Sequence, residues 1–301
     1  MTPRAHGFLF VVALATGLTL SPRVQAQTTV ALEFDSLHFR SIGPATISGR
    51  IADVAVYEAN PAIYYVGTAH GGVWKTTSGG AMFTPLFQNE GLISIGDVAV
   101  SQTNPDLIWV GTGESNNRQT TSWGGGIYKS SDGGETFEHM GLDESRHINR
   151  ILIDPRDDDV VLVAATGPLF GAGGDRGGFK TTNGGESWTR VFSVDEDTGA
   201  NALVRAKTEP NTLYASTYQR RRNACCMNGG GPGAGIWKSI DSGDTWTRLS
   251  GSGLPDGPLG RIDVDVFSGD ASTVYALIEG PRAGRGGARG GGAGGAAGGR
   301  G

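Results

Sequence analysis

The chain has 301 residues, and 51 of them are glycine, about 17 % against a usual share of about 7 %. Only 8 % of the residues are aromatic and 38 % are hydrophobic. Because glycine is costly inside helices, this composition argues against a helical bundle and favours short strands joined by tight turns. Beyond the N-terminus no apolar run reaches the ~20 residues of a membrane-spanning helix, so we expect no membrane span in the mature chain.

Two terminal segments differ from the body of the chain. Residues 1–26 begin with a basic residue, continue through an apolar run and end in Val24-Gln25-Ala26. This pattern predicts a secretory signal peptide and a secreted or periplasmic protein. Residues 280–301 contain 12 glycines, four arginines and no acidic residue, which predicts a disordered tail.

The body of the chain is acidic. The net charge is −5, and removing the two positive charges of 1–26 and the four of 280–301 leaves −11 for residues 27–279. An acidic body argues against nucleic acid as a partner. A polyanionic ligand is expected only at a local basic patch.

The two cysteines, Cys225 and Cys226, are adjacent in the sequence. A bridge between neighbours closes almost no loop and stabilises a fold little. Their glycine-rich segment contains no histidine, so we predict no metal site, and we expect no cofactor. A redox role and an intermolecular role both stay open for this pair.

A repeated motif organises the body. Each copy contains an aromatic residue, a lysine and a glycine-rich turn, and the lysines recur at intervals of 54, 51 and 58 residues. Upstream of each copy lie two alternating segments joined by an X-Pro turn. The copies of the motif are at 73–80, 127–137, 179–188 and 236–246.

Each unit predicts four short strands, A to D. The X-Pro turn joins A to B, strand C opens on the aromatic-Lys pair, and D follows the glycine-rich turn. Four-stranded units that repeat at about fifty residues are typical of a β-propeller, whereas solenoid units are usually shorter or contain a helix. We therefore predict an all-β propeller with four four-stranded blades and a partial fifth. The predicted blades are about 50–92, 96–142, 149–193 and 201–250, with the partial blade at 261–279.

Three copies of the motif carry the pattern Ser/Thr-X-Asp/Asn-X-Gly-X-Thr/Ser-Trp/Phe, which resembles the Asp box of BNR repeats. These copies are Ser130–Phe137, Thr181–Trp188 and Ser239–Trp246. The first copy, Thr76–Phe83, is degenerate because Ser78 replaces the acidic residue. The body resembles the BNR-repeat group, which includes xyloglucanase-like glycosidases, sialidases and the sortilin propeller. The resemblance implies the fold, but such folds host many activities.

We predict a structural role for the box residues. The acidic or amide side chain is expected to accept hydrogen bonds from the backbone of its own turn, and the glycine to supply a positive φ. The aromatic residue is expected to return into the core. These residues are Asp132, Gly134, Phe137, Asn183, Gly185, Trp188, Asp241, Gly243 and Trp246. The lysines of the motif are expected to be solvated or to pair with a neighbouring blade.

Loop lengths distinguish the two ends of the predicted blades. Box turns and X-Pro turns share one end, called the box end, and all of them are short. The B–C connections share the other, called the B–C end, where 114–126, 168–178 and 220–235 contain 13, 11 and 16 residues. Because functional loops tend to be long and irregular, we predict that the B–C end binds a ligand.

The composition of these loops favours a glycan or a peptide as the ligand, because carboxylate, amide and guanidinium groups fix orientation while an aromatic ring stacks. The alternative for the arginines is that they pair with acidic residues of the body and hold long loops in place. The candidate binding residues are Glu114, Asn116, Asn117, Arg118, Trp123, Arg176, Arg220, Arg221 and Arg222.

Catalysis stays open at this point. Hydrolysis of a glycosidic bond needs two carboxyl groups that face each other across the bond. In the xyloglucanase-like enzymes that the body resembles, one catalytic Asp precedes the Gly-Gly of the first blade, and its partner lies in a second propeller. The matching position here is His70. Glu114 and His70 are the candidate catalytic residues of a glycoside hydrolase whose second half is missing, and a non-catalytic scaffold propeller is the third alternative.

The repeat count predicts an incomplete ring. The fifth blade has only two predicted strands before the tail, and the segment 37–40 looks like the closing D strand of a last blade. A seven-bladed ring needs roughly 380 residues at these repeat lengths. We therefore expect an N-terminal fragment of a larger xyloglucanase-like or sortilin-like protein, with the remaining blades as its partner.

Overall fold

The computed structural model describes residues 50–118, 121–251 and 253–280. The predicted signal peptide, the segment 37–40 and the predicted tail beyond residue 280 lie outside the described residues. Within them the chain is almost entirely β-structure, and its one helix is a short 3-10 turn at Asp143–Ser145. No helix in this part of the chain is long and apolar enough to cross a membrane.

The described strands form antiparallel sheets that follow chain order, which confirms the predicted all-β propeller fold. The first blade contains β1 (Ile51–Val56), β2 (Tyr64–Thr68), β3 (Val73–Thr76) and β4 (Thr84–Pro85). The second contains β5 (Ile95–Val100), β6 (Ile108–Thr112), β7 (Ile127–Ser130) and β8 (Glu138–His139). The third contains β9 (Ile148–Asp154), β10 (Asp157–Ala165), β11 (Gly177–Thr181) and β12 (Thr189–Phe192).

The fourth blade has one strand more than predicted, and the fifth is a two-stranded sheet. The fourth contains β13 (Thr198–Arg205), β14 (Leu213–Arg222), β15 (Met227–Gly229), β16 (Gly235–Ser239) and β17 (Thr247–Arg248). The fifth contains β18 (Ile262–Val266) and β19 (Val274–Ile278). The first strands of successive blades lie next to one another, so these strands line the inner side of the propeller.

The hydrophobic core consists of layers between consecutive blades, as the alternation of the strands requires. Trp109 of β6 is fully buried between the second and third blades, and its ring meets that of Trp188 edge-on at 6.0 Å. Phe87 contacts Tyr128 and Phe137 of the next blade in the same way, at 5.1 and 4.9 Å. The aromatic residues that follow the box turns therefore pack against the preceding blade.

At the box end, identical hydrogen bonds recur in the first four blades. Ser130 Oγ accepts the N–H of Gly134 at 2.9 Å, and the equivalent hydroxyl does so in the other three blades. The N–H of Gly133 donates to the Asp106 carbonyl in the X-Pro turn at 2.9 Å, which ties the two turns of a blade together. Gly134 has φ +93, a value that favours glycine, and its equivalents share it.

The acidic or amide residue of each box turn closes the same network. Asp132 accepts both the N–H and the hydroxyl of Thr136. These bonds, the hydroxyl first, hold the pKa of Asp132 well below its usual range. Asp241 accepts the same two bonds from Thr245, whereas Asn183 accepts the Ser187 N–H and donates its Nδ2 to the Ser187 hydroxyl. In the degenerate first copy, Ser78 Oγ takes over the backbone bond.

The motif lysines tie each blade to the next. Lys129 donates to the Gly184 carbonyl at 3.0 Å, in the box turn of the following blade, and lies 5.3 Å from the ring of Trp109. Lys75 and Lys180 make the equivalent bonds at 2.9 and 3.1 Å. Of the two expectations for these lysines, pairing with a neighbouring blade is confirmed for all three.

One predicted loop proves to be strand. Residues 220–235 were expected to form an irregular B–C connection, but Arg220–Arg222 complete β14 and pair in register with β15, Met227–Gly229. The hydrophobic pattern could not indicate this extension, because arginine takes the place of apolar residues along the strand. Arg220 is nevertheless buried, so the strand continues on packing and hydrogen bonds rather than on apolar alternation.

Candidate functional site

Three connections make up most of the B–C end. We call residues 113–126 the blade-two loop, residues 166–176 the blade-three loop, and Arg220–Gly229 the arginine hairpin. They come from three different blades, and long-range contacts join them. A long-range contact also joins the blade-two loop to residue 50, just before β1. Some of the predicted site residues therefore meet, as Arg220 and Asn116 do, although more than one hundred residues separate them in sequence.

Glu114 is the most buried acidic side chain of this end, with no exposed surface. Its backbone N–H donates to Ser94 Oγ at 3.0 Å and to the Ser122 carbonyl at 3.2 Å, which fixes the start of the blade-two loop. Its Oε1 pairs with the guanidinium of Arg50. Its Oε2 has no hydrogen-bond partner in the described part of the chain. One carboxylate oxygen is thus held by Arg50, and the other can accept a hydrogen bond from a ligand.

Arg220 links the arginine hairpin to the blade-two loop. Its Nη2 donates to Thr121 Oγ1 at 2.9 Å and to the Asn116 carbonyl at 3.4 Å. Burial lowers the pKa of Arg220 from its usual value, while its Nε stays unpaired. Two residues before the hairpin, the Tyr218 hydroxyl accepts a hydrogen bond from Asn117 Nδ2 at 3.0 Å.

His147 lies beside this group and was not predicted. It precedes β9, is 1 % exposed, and neither ring nitrogen has a hydrogen-bond partner among the described residues. Burial, followed by the charge of Arg220, lowers its pKa to about 3. The ring is therefore neutral at physiological pH, with one N–H to donate and one nitrogen to accept.

Unpaired polar atoms concentrate at this end. Among the described residues, ten carry a buried side-chain nitrogen or oxygen without a hydrogen-bond partner, and eight of the ten lie at the B–C end. Buried polar groups in folded proteins are nearly always paired, so such a cluster needs an explanation. The eight residues are Glu114, Ser145, His147, Arg176, Thr198, Gln219, Arg220 and Arg222.

Two of the predicted arginines hold loops in place, and one of them, Arg176, also carries an unpaired Nε. Arg176 donates to the carbonyls of Thr166, Pro168 and Gly171, all in the blade-three loop, and burial lowers its pKa to about 10. Arg221 pairs with Asp197 at 2.5 Å. The alternative interpretation of the arginines as loop-holding residues therefore describes Arg176 and Arg221, whereas Arg220 belongs to the cluster.

The remaining candidates lie on the surface of the same end. Trp123 is 57 % exposed, and the guanidinium of Arg146 lies 5.7 Å from its ring. Arg118 is exposed on the blade-two loop, and His70 is half-buried between β2 and β3. In the described residues no group of three or more His, Cys, Asp or Glu side chains is placed to hold a metal ion.

A cavity at the inner strands lies away from this cluster. It has a volume of about 550 Å³ and lies between β9 and β13. Apolar residues of these two strands, such as Ile151 and Leu203, form much of its lining. It extends to the X-Pro turns at Pro155 and Pro210, so it opens towards the box end. Its polar rim includes the exposed ion pair of Lys207 and Glu58 at 3.1 Å. The cluster at the B–C end offers more unpaired hydrogen-bond donors and acceptors than this cavity does.

No protein-family model matches the chain, and no curated protein matches it. Solved structures are similar in fold. An ancestral GH74 enzyme matches with 22 % identity and a TM-score of 0.51, covering 68 % of this chain and 24 % of that one. The GH74 enzyme of Niastella koreensis matches with 18 % identity and a TM-score of 0.55, covering 74 % and 33 %. YCF48 from Cyanidioschyzon merolae matches with 14 % identity and a TM-score of 0.42, covering 78 % and 73 %.

The chain thus spans 24 % to 33 % of the length of the two GH74 enzymes. At these identities the likeness concerns the fold alone. Together with the four-stranded antiparallel sheets, it identifies the described part of the chain as a β-propeller related in architecture to the GH74 propellers.

Proposed function

We propose that this chain is an exported β-propeller module that binds a glycan at its B–C end, as part of a larger glycosyl-hydrolase-like or sortilin-like protein. The observation that carries the proposal is the cluster of buried, unpaired polar atoms at that end. Leaving such a group unpaired costs about 1–3 kcal/mol, so a fold keeps a cluster of them only where a ligand or ordered water uses them.

The chemistry of the cluster supports a glycan over a peptide. It offers donors, such as Arg220 Nε, beside acceptors, such as Glu114 Oε2. A sugar hydroxyl donates and accepts at the same time, so neighbouring hydroxyls match such a mixed surface. The exposed ring of Trp123 supplies an apolar face of the kind that holds a ligand's flat side. A peptide ligand is the alternative outcome of the test below.

The box turns support membership of the BNR-repeat group. Asp132, Asn183 and Asp241 stand at one position of three blades and make the same hydrogen bonds. Hydrogen bonds of this kind stabilise a turn and need no ligand, so the boxes are structural in this proposal. The glycan site is assigned to the opposite end.

A glycoside hydrolase is the second candidate, favoured by the free Oε2 of Glu114. Such an enzyme needs a second carboxyl group roughly 5–10 Å away. The charged groups that act on the Glu114 side chain include Arg50, which pairs with it, and Arg220, and both are cations. In this candidate the second carboxyl group belongs to another part of the larger protein, as in the xyloglucanase-like enzymes that the sequence resembles.

The first and the fifth blade each have one face that no described blade covers, and the exposed apolar residues on these faces support a larger parent protein. Tyr275 and Leu277 of β19 are 64 % and 80 % exposed, and Ile51 of β1 is 62 % exposed. In the described blades the equivalent faces are covered by the next blade. We propose that further blades of a parent propeller, seven-bladed on the repeat lengths, cover these faces.

The assignment of residues 1–26 as a signal peptide is tested by sequencing the exported protein, which is expected to begin at Gln27.

The test is a glycan array and a peptide array probed with the full chain and three variants. Glu114→Gln and Arg220→Met are each expected to weaken glycan binding by roughly tenfold or more, since a hydrogen bond to a charged group contributes about 1.5–3 kcal/mol. Glu186→Gln, which removes an exposed charge at the box end, is the matched control and is expected to bind normally.

The outcomes separate the candidates. Binding to peptides alone favours the peptide alternative, and binding to neither array favours the scaffold alternative. Glycan binding that neither Glu114→Gln nor Arg220→Met weakens contradicts the site. Release of reducing sugar by the parent protein, abolished by Glu114→Gln, favours the hydrolase. Thermal melting of each variant shows whether a lost signal reflects lost folding.

A further inference from the structure

A disulfide joins the adjacent residues Cys225 and Cys226 at the tip of the arginine hairpin. With Asn223 and Ala224 they form the turn of the hairpin, and all four residues are exposed. Asn223 Oδ1 accepts the N–H groups of Cys225 and Cys226 at 3.2 and 2.8 Å, and the Asn223 N–H donates to the Cys226 carbonyl at 3.0 Å. The bridge therefore lies in an ordered turn that solvent and other molecules can reach.

Global stability does not account for this bridge. A disulfide stabilises a fold mainly by closing a loop in the unfolded chain, and the gain grows with the length of that loop. A ring between neighbouring residues is the shortest possible, so the gain is limited to roughly tenfold in an opening equilibrium. What the ring constrains is the dipeptide itself, and with it the turn of the arginine hairpin.

The arginine hairpin is bonded to several other connections of the B–C end. The N–H of Arg222, the residue next to the turn, donates to the Leu169 carbonyl in the blade-three loop at 2.8 Å. Arg221 pairs with Asp197 in the connection that precedes β13. Arg220 bonds the blade-two loop, as described above. Three successive residues at the end of β14 thus contact three different connections.

We infer that the Cys225–Cys226 bridge is a site of reversible thiol–disulfide exchange with an exported dithiol, and that its oxidation state sets the order of the arginine hairpin and the blade-three loop. This inference does not depend on the identity of the ligand. It assigns a redox role to a cysteine pair whose role the sequence left open.

The exchange proceeds in two balanced steps. A thiolate of the dithiol attacks Sγ of one cysteine, a mixed disulfide forms, and the other cysteine leaves as a thiolate and takes up a proton. The second thiol of the donor then attacks the mixed disulfide and releases the first cysteine as a thiol. Two electrons and two protons pass to the protein, and the donor becomes a disulfide.

The experiment compares the oxidised full chain with the same chain treated with dithiothreitol. Thiol labelling under native conditions is expected to rise from zero to two groups per chain, with the thermal midpoint little changed. Amide hydrogen exchange of Arg220–Gly229 and of residues 166–176 is expected to rise by roughly tenfold, while β5 and β6 exchange as before.

The double variant Cys225→Ser, Cys226→Ser is the matched control. It cannot form the bridge, so it is expected to show the faster exchange of the reduced chain with and without dithiothreitol. The inference is overturned if the thiols react only when the whole chain unfolds, or if the hairpin and the blade-three loop exchange alike in both oxidation states. Circular dichroism of each sample distinguishes local loosening from a failure to fold.

Discussion

The two ends of the propeller use polar side chains in opposite ways. At the box end the first four blades repeat one set of bonds, in which Ser130, Asp132 and their equivalents satisfy their own turns. At the B–C end the loops differ in every blade, and Glu114, His147 and Arg220 are buried with atoms left unpaired. The same blades therefore carry a repeated, satisfied end and an irregular, unsatisfied one.

This difference indicates that the box end contributes mainly to stability, whereas the B–C end keeps polar groups available for binding. A fully paired turn contributes to folding, and its repetition lets each blade dock on the next through a lysine such as Lys129. An unpaired buried group costs folding free energy and is retained for what it can bind. Substitutions at the two ends should consequently change stability in opposite directions, and this gives direct ways to test the comparison.

The largest expected effect concerns His147 and pH. Its pKa is about 3 in the folded chain because of burial, and about 6.5 when unfolded, so the unfolded chain binds the extra proton below pH 6.5. Stability should fall by about 2 kcal/mol between pH 7 and pH 5 from this group alone, and the loss should continue towards pH 3. Urea unfolding at the two pH values measures it.

The variant His147→Leu removes the titrating ring, so its stability should depend on pH by that much less. The charges that face the ring are Arg220, Arg176 and Arg146, which stay protonated throughout this range. Equal pH dependence in the natural chain and His147→Leu would mean that the ring is not buried as a neutral group.

The second effect concerns the tie between blades. Lys129→Met keeps an unbranched apolar side chain but removes the bond to the Gly184 carbonyl, and should cost about 1–2 kcal/mol. Lys238→Met is the matched control, because Lys238 lies over the ring of Tyr214 but bonds no following blade within the described residues. Urea unfolding of both variants should show the larger loss for Lys129→Met, and equal losses would contradict the docking role.

The third effect compares the ends directly. Gln219→Met replaces a side chain whose buried Oε1 is unpaired, and should stabilise the chain by about 1 kcal/mol. Ser130→Ala at the box end leaves the Gly134 N–H without a partner and removes one of the hydrogen bonds that Asp132 accepts, and should destabilise the chain by about 1–2 kcal/mol. Thermal melts give both signs. If the two substitutions destabilise alike, the proposed difference between the ends is wrong.

The box end was predictable from the sequence because its structure is local. Each box turn is closed within a few residues, so the spacing from Ser130 to Phe137 already implies the bonds that form. The recurrence of Lys75, Lys129 and Lys180 likewise indicated the blades, because a repeat of about fifty residues leaves few other folds.

The B–C end was predictable only in part, because it is assembled across blades. Loop length and composition pointed to Glu114 and Arg220. His147 was missed, since a single histidine before an alternating strand has no local mark of burial. The contact of Asn117 with Tyr218 joins residues 101 positions apart, and their approach depends on how the blades curve around the axis. The disulfide hairpin was missed because its arginines interrupt the apolar pattern of β14.

The smallest expected effect tests whether the stability of a box turn depends on the negative charge of its acidic residue. The Thr245 hydroxyl, then the Thr245 N–H and Ser239, lower the pKa of Asp241 to about 2. Its contribution is therefore present above pH 4 and is lost as the pH falls through about 2. Asn183 occupies the same position in the previous blade and makes the same set of bonds with an amide, its Nδ2 donating to a hydroxyl at 3.0 Å.

The variant Asp241→Asn copies that natural amide turn into the fourth blade. Because the hydroxyl of Thr245 can turn to accept instead of donate, the variant should match the natural chain at pH 7. Between pH 4 and pH 2.5 its melting temperature should fall less than that of the natural chain, since the amide does not titrate. A large loss at pH 7 would mean that the carboxylate charge, rather than the pattern of hydrogen bonds, holds the box turn.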